Sequence, residues 1–202
     1  MKLKQTGGIF DEILGGIPAG SLIYFSADPT IASEMVLYQL CAGERKTYYF
    51  VTERNPKRVE ENMREAGVNI EEFEIIDLRK GEERFSEIIS ILRQASDANV
   101  VIDTFTPFIG DDSLMAQILE ESADKDVLCF LCVPKGSCDE NLSKRLAYIC
   151  DVFFDLSADR MGEAVVVKFA VPKIRGGQPL MRHIRLKIAV DGVEIDTSRD
   201  IA

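Results

Sequence analysis

The chain has 202 residues, 34 of them acidic against 24 lysines plus arginines, giving a net charge of −10, and 46% of its residues are apolar. That length suits one domain with a substantial core, and that apolar content excludes an intrinsically disordered chain. The negative balance repels nucleic-acid phosphate over most of the surface, so binding of that kind needs a local basic patch.

The opening residues, Met1-Lys2-Leu3-Lys4-Gln5, lack the apolar stretch of a signal peptide, and a cytoplasmic location is expected. Short β-rich runs then alternate with segments of helical period. Ser21–Ser26 reads as a strand and Met35 to Cys41 as the apolar helix after it. Thr47–Thr52 is the next strand. Behind it Val59, Met63 and Ala66 recur at helical spacing, with Pro56 suited to a helix start and Gly67 to a helix end. Glu72–Leu78 precedes a helix carrying Phe85, Ile88, Ile89 and Leu92, and Asn99–Asp103 precedes one carrying Leu114 and Ile118. Val127–Val133 is the longest strand-like run, too short to cross a membrane as a helix. Leu142, Leu146 and Ile149 then mark a helix leading to Asp151–Leu156. This alternation predicts an α/β fold with a mostly parallel sheet flanked by helices.

After Asp159 the pattern changes. Glu163–Val171, Arg182–Val190 and Val193–Ile195 alternate without helices between them, with turns at Arg175-Gly176-Gly177-Gln178-Pro179 and Asp191-Gly192. The expected arrangement is a single domain over residues 1–202, its core at about 6–157 and a C-terminal antiparallel β section at about 163–196 extending the sheet.

Five cysteines fit a reducing compartment. Cys129 and Cys132 form a CxxC, but residues three apart on a strand point to opposite faces, which is poor chelate geometry. Packing is therefore expected of them, and no metal site. Cys138 and Cys150 follow without forming a second pair of that spacing, and His183, the single histidine, reads as one residue of a strand.

The turn after the first long strand is the natural ligand position of a parallel α/β sheet. Here it reads Ala27-Asp28-Pro29-Thr30-Ile31-Ala32-Ser33-Glu34. It is preceded by Thr6-Gly7-Gly8-Ile9-Phe10-Asp11-Glu12-Ile13-Leu14-Gly15-Gly16-Ile17-Pro18-Ala19-Gly20-Ser21. That long segment resembles the opening of RecA/KaiC-like ATPases, where it leads directly into a Walker A phosphate loop. One glycine of the usual run is missing. Carried onto this frame, the four defined positions of G-x-x-x-x-G-K-[ST] fall on Ala27, Ala32, Ser33 and Glu34, and none matches. The two alanines lack the glycines' backbone freedom, Ser33 brings no charge for the phosphates, and Glu34 replaces the hydroxyl that ligates Mg²⁺. Asp28 adds a second negative charge beside the phosphate path. The resemblance thus implies a degenerate loop, with no cofactor expected and ATP with Mg²⁺ left as an open alternative.

The resemblance continues downstream. Tyr48-Tyr49-Phe50-Val51-Thr52-Glu53-Arg54 looks like the family strand that ends in an acidic pair, and Glu53 matches the glutamate that polarises water in active relatives. Arg54 departs from the second acid. Val100-Val101-Ile102-Asp103-Thr104 resembles the Walker B strand, whose aspartate helps hold Mg²⁺. Glu53 and Asp103 are accordingly vestigial catalytic candidates. Val171-Pro172-Lys173-Ile174-Arg175-Gly176 looks like the family segment whose Lys and Arg reach towards a neighbouring subunit, making Lys173 and Arg175 interface candidates. A basic strip, Lys168, Lys173, Arg175, Arg182, Arg185 and Lys187, lies on this otherwise acidic chain, with no interleaved aromatic platforms for bases.

Three functions follow as expectations. The first is a non-catalytic RecA/KaiC-like scaffold or regulator working through a protein partner or self-association. The second is an ATP-binding switch or ATPase with an atypical phosphate loop, resting on Glu53 and Asp103. The third is a DNA-recombination accessory protein, which rests on analogy and the basic strip; nucleic acid ranks below protein as a partner.

Overall fold

The computed structural model describes residues 2–197 apart from 7, 81–83, 124, 163 and 190–191. Gly7 of the opening motif, the strand limits Glu163 and Val190 and the turn residue Asp191 therefore lie outside the described residues.

The opening motif folds as a small unit of its own. Leu3–Lys4 (β1) pairs antiparallel with Ile17–Pro18 (β2), and Ile9–Leu14 forms a short helix (α1) between them in sequence. Two motif glycines are required by backbone geometry. Gly16 has φ +107°, and a Cβ there would lie 3.0 Å from the Lys4 carbonyl oxygen; Gly20 has φ +71°, with the Ala123 and Lys125 carbonyls at the same distance. Lys4 is buried and ion-pairs with Asp97 and, at 3.3 Å, with Asp126, tying this segment to loops of the main sheet.

The remaining elements follow the alternation in the sequence. They are Leu22–Ala27 (β3), Ser33–Leu40 (α2), Thr47–Val51 (β4), Pro56–Glu65 (α3), Phe73–Asp77 (β5), Arg84–Gln94 (α4) and Asn99–Asp103 (β6). Then come Asp112–Ala123 (α5), Leu128–Pro134 (β7), Glu140–Ile149 (α6), Val152–Met161 (β8), Ala164–Ile174 (β9), Leu180–Ala189 (β10) and Gly192–Ile195 (β11). Helix starts are locally encoded. The Asn55 side chain accepts from the Lys57 N–H at 3.0 Å ahead of Pro56, and Asp139 accepts from Asn141 and Leu142 at the head of α6.

Among the described residues nine strands form one sheet in the order β11-β10-β9-β8-β3-β7-β6-β4-β5. Neighbours from β8 to β5 are parallel, and β9, β10 and β11 add antiparallel strands beyond β8. The strand expected to stop at Leu156 runs on to Met161, because its second half pairs with β9. Both faces of the central strands β3 and β7 are covered, which is why these two are almost continuously apolar. Ile23, Phe25 and Phe130 face the layer of α1, α2 and α3, while Leu22, Tyr24 and Leu131 face α4, α5 and α6. Cys132 sits in the first layer and Cys129 in the second, as strand alternation requires. The antiparallel section shares the first layer: the Phe169 ring lies 5.4 Å from Phe10 and 5.6 Å from Phe154.

Parallel strands place their carboxyl ends together. Ala27 is in register with Pro134, Asp103 with Cys132, and Val51 with Asp103. Four strand ends therefore converge on one cleft beneath the N-terminus of α2.

Candidate functional site: an arginine-bridged cleft

The turn from β3 to α2 is held by its own side chains. Asp28 Oδ1 accepts from the Thr30 N–H at 2.9 Å and from the Thr30 hydroxyl at 2.7 Å, closing an Asx turn, and these bonds hold the Asp28 carboxyl below its usual pKa. Pro29, Thr30 and Ala32 are exposed, and Ile31 is half-buried. Ala32 caps α2 with no side-chain hydrogen bond, and Ser33 opens the helix with its N–H donated to the Ile31 carbonyl at 2.8 Å. Glu34 lies in the first turn of α2, a favourable place for a carboxylate beside unpaired helix N–H groups.

Arg54 organises the cleft. It follows β4 by three residues, and its guanidinium ion-pairs with Asp103 at the end of β6. Its other terminal nitrogen lies 3.4 Å from Glu34 Oε1, so one cation bridges the two acids. Tyr49, fully buried on β4, donates its hydroxyl hydrogen to Asp103 Oδ2 at 2.6 Å and accepts from Arg54 Nη2 at 3.3 Å. Burial opposes the charge on Arg54, but the Tyr49 and Asp103 groups outweigh it and hold the guanidinium above its ordinary pKa. Burial, then the charge of Asp103, pushes the Tyr49 phenol well up, so it stays protonated as a donor.

The strand ends are locked together around this cluster. The Thr52 hydroxyl accepts from the Thr104 N–H and donates to the Thr104 carbonyl, both at 2.8 Å, and the Thr52 N–H donates to the Asp103 carbonyl at 3.0 Å. The Asp103–Thr104 peptide is cis. Outside the cleft lining, Lys135, next after β7, pairs with Asp155 of β8 at 2.5 Å. Glu53 lines the cleft and is exposed. The cavity has a volume of about 230 Å³, and Cys132, Val133 and Pro134 of β7 complete its lining.

The cleft thus gathers Ala27, Pro29, Ile31, Ser33, Glu34, Glu53 and Asp103 of the sequence-derived site, while Asp28, Thr30 and Ala32 are not in its lining. The acids at positions 28 and 34, which the sequence presents as uncompensated, both have partners: Thr30 for Asp28 and Arg54 for Glu34. Lys173 and Arg175 lie at the other end of the sheet. Lys173 donates to the Ala147 and Tyr148 carbonyls at 2.8 and 2.6 Å, closing the C-terminal end of α6, and Arg175 lies 2.8 Å from Asp151. Lys168 of the basic strip pairs with Asp159. Among the described residues no helix is long and apolar enough to cross a membrane, and no group of three or more His, Cys, Asp or Glu side chains is placed to hold a metal ion.

Sequence reasoning missed Tyr49 and the bridging role of Arg54. The available signal was the exchange of an acid for a base at position 54, directly after Glu53.

A mostly parallel sheet flanked by helices, with C-terminal antiparallel strands and a cleft at its carboxyl edge, defines a RecA/KaiC-like fold. Flagellar accessory protein FlaH from Methanocaldococcus jannaschii superposes with a TM-score of 0.76 at 14% identity, over 97% of this chain and 98% of that one. The KaiC-like protein PH0186 from Pyrococcus horikoshii OT3 gives a TM-score of 0.76 at 15% identity, over 96% and 98%. No curated protein matches the sequence. Residues 8–202 match a family of unknown function (DUF7125), and the chain belongs to that family.

Proposed function

We propose that this chain is a non-catalytic RecA/KaiC-like protein that serves as a scaffold or regulator through protein contacts. The observation that carries this reading is the Arg54 bridge between Glu34 and Asp103. In the family that this chain resembles, those two positions belong to the groups that hold Mg²⁺. Here a side chain of the protein already pairs with both, so a metal–nucleotide complex would have to displace a partly buried guanidinium. Removing one partner of such a pair strands the other charge in a poorly solvated place.

Two further features support it. The 27–34 turn offers no lysine for phosphate, and its Asp28 carboxylate is committed to Thr30. The cavity of about 230 Å³ also falls below the roughly 300–1,000 Å³ usual for sites that enclose drug-sized ligands.

The test is calorimetric titration with Mg-ATP and Mg-ADP at millimolar concentration. The expected result is no saturable heat. Saturable binding that disappears in Glu53→Ala or Asp103→Ala would overturn the proposal and restore the reading of an ATP-binding switch.

A further inference from the structure

The connection from β3 to α2 is held firmly at both ends and loosely between them. At one end the Asp28 N–H donates to the Leu156 carbonyl of β8 at 2.9 Å. At the other, Val36, Leu37, Tyr38 and Leu40 of α2 are buried in the core. Among the described residues, the hydrogen bonds of Pro29 to Ser33 stay within this turn and α2: Thr30 and Ile31 donate to Asp28, Ser33 to Ile31, and Met35 to Ala32. Ile31 is the residue of the turn that packs against the core. The charged tie nearest the turn is Glu34, the next residue, at 3.4 Å from Arg54. That tie has a strong and a weak end. Arg54 is anchored on Asp103, whose side chain is 9% exposed, and on the Tyr49 hydroxyl. Its contact with Glu34 is longer, with side chains 32% and 26% exposed, so water and salt reach it.

We propose that the Glu34–Arg54 contact is a latch and that the Pro29–Ser33 turn is the flap it holds over the cavity. Pro29, Ile31 and Ser33 line the cavity from the turn, opposite Phe25, Cys132 and Val133 of the sheet. With the latch closed, the turn covers one side of that apolar floor. When Glu34 is released, the turn swings between its fixed points at Asp28 and the buried part of α2, and Arg54 stays on Asp103. The weak end of the tie is therefore the end that moves, and the segment it frees has few other contacts to break. One surface thus takes two forms, a covered and an uncovered cleft, which is what a regulator working through protein contacts requires. The latch does not depend on the non-catalytic reading, and its test contains no nucleotide, so either can fail alone.

The experiment is hydrogen–deuterium exchange of the full chain, unaltered and as Glu34→Gln, at low salt and at about 0.5 M salt. The informative amides are those of the turn and of Met35, whose N–H donates to the Ala32 carbonyl at 3.1 Å. In Glu34→Gln they should exchange roughly two- to fivefold faster, the factor that a partly exposed ion pair supplies. Salt should speed the same amides in the unaltered chain and leave Glu34→Gln almost unchanged, because its latch is already open. This salt arm needs no variant, so it reads the latch even where Glu34→Gln folds poorly. Thiol labelling gives a second readout. Cys132, on the cavity floor and 4% exposed, should react faster in Glu34→Gln, while Cys129, in the opposite layer, should not. Unchanged exchange in Glu34→Gln overturns the proposal, as does a salt effect that persists undiminished in that variant. A rise spread equally over β4, β6 and α3 also overturns it, since the pair would then be a general stability contact and not a latch.

Discussion

The Tyr49 hydroxyl lies 2.6 Å from Asp103 Oδ2 and donates to it across the β4–β6 boundary. The same carboxylate oxygen is paired with Arg54, so the end of β6 carries a charge that is satisfied twice from β4 and the loop after it. Asp103 thus has a structural role, with its charge answered within the protein at the end of β6.

Replacing Arg54 tests that role directly. Arg54→Ala leaves Asp103, 9% exposed at its side chain, without its counter-ion. Breaking a fully buried pair costs about 3–5 kcal/mol. Arg54 is 32% exposed, so solvent screening reduces the expected loss to about 2 kcal/mol. Denaturant unfolding of Arg54→Ala, Asp103→Asn and the double variant should give a double-mutant cycle with clear coupling. Additive losses would show that the two side chains do not depend on each other.

The antiparallel section should not unfold by itself. Phe169 on β9 packs between Phe10 and Phe154, so Phe169→Ala is expected to cost about 3–5 kcal/mol, as for other buried aromatic deletions. The single-domain expectation adds that far-ultraviolet and near-ultraviolet circular dichroism follow one common transition. Two separated transitions would divide the chain into independent units.

Thiol labelling should be ordered. Cys41, Cys129, Cys132 and Cys150 are buried, and burial pushes the Cys41 and Cys129 thiols up to about 12. Cys138 is only half-buried, with its sulfur 3.1 Å from the Ser143 hydroxyl. A thiolate-selective reagent on the native protein should therefore modify Cys138 first, and the other four at the rate of unfolding. Mass-spectrometric mapping of early adducts decides it; prompt labelling of Cys129 would contradict the packed β7.

Acid should loosen the N-terminal unit. Hydrogen bonds from Lys4 hold Asp97 below its ordinary pKa, and those from Lys2 and Lys4 do the same for Asp126. A depressed carboxylate pKa stabilises the fold fully above the unfolded value, about 3.9, and this contribution is lost as pH falls through the lower folded value. Melting temperature should hold steady from about pH 7 to 5 and drop below about pH 4. High salt should blunt the drop, since Asp97 is 59% exposed at its side chain. An identical acid limb in an Asp97→Asn, Asp126→Asn double variant would exclude these two acids as its source.

Much of this architecture was legible before any coordinates. Hydrophobic period is a local property, so Asn99–Asp103 emerges as written and α3 begins at Pro56 as its composition requires. The opening motif pointed to the RecA/KaiC-like frame, and strand alternation alone set Cys129 and Cys132 on opposite faces. The extension of β8 to Met161 was not legible. Its polar second half carries no strong period of its own and is ordered by pairing with β9.

The cleft divides in the same way. The sequence by itself determined that positions 27, 32, 33 and 34 carry alanine, alanine, serine and glutamate, because residue type at a fixed spacing is a local property. Only the tertiary structure decided what Arg54 does. It meets Asp103, 49 residues away, and Glu34, 20 residues away, because the strand order places β3, β7, β6 and β4 side by side with their carboxyl ends together. Lys173 and Arg175 were settled on helix carbonyls and Asp151 by the same cause. A long side chain's partner is set by which backbones the sheet brings near it, and that is a property of the fold and not of any local stretch of sequence.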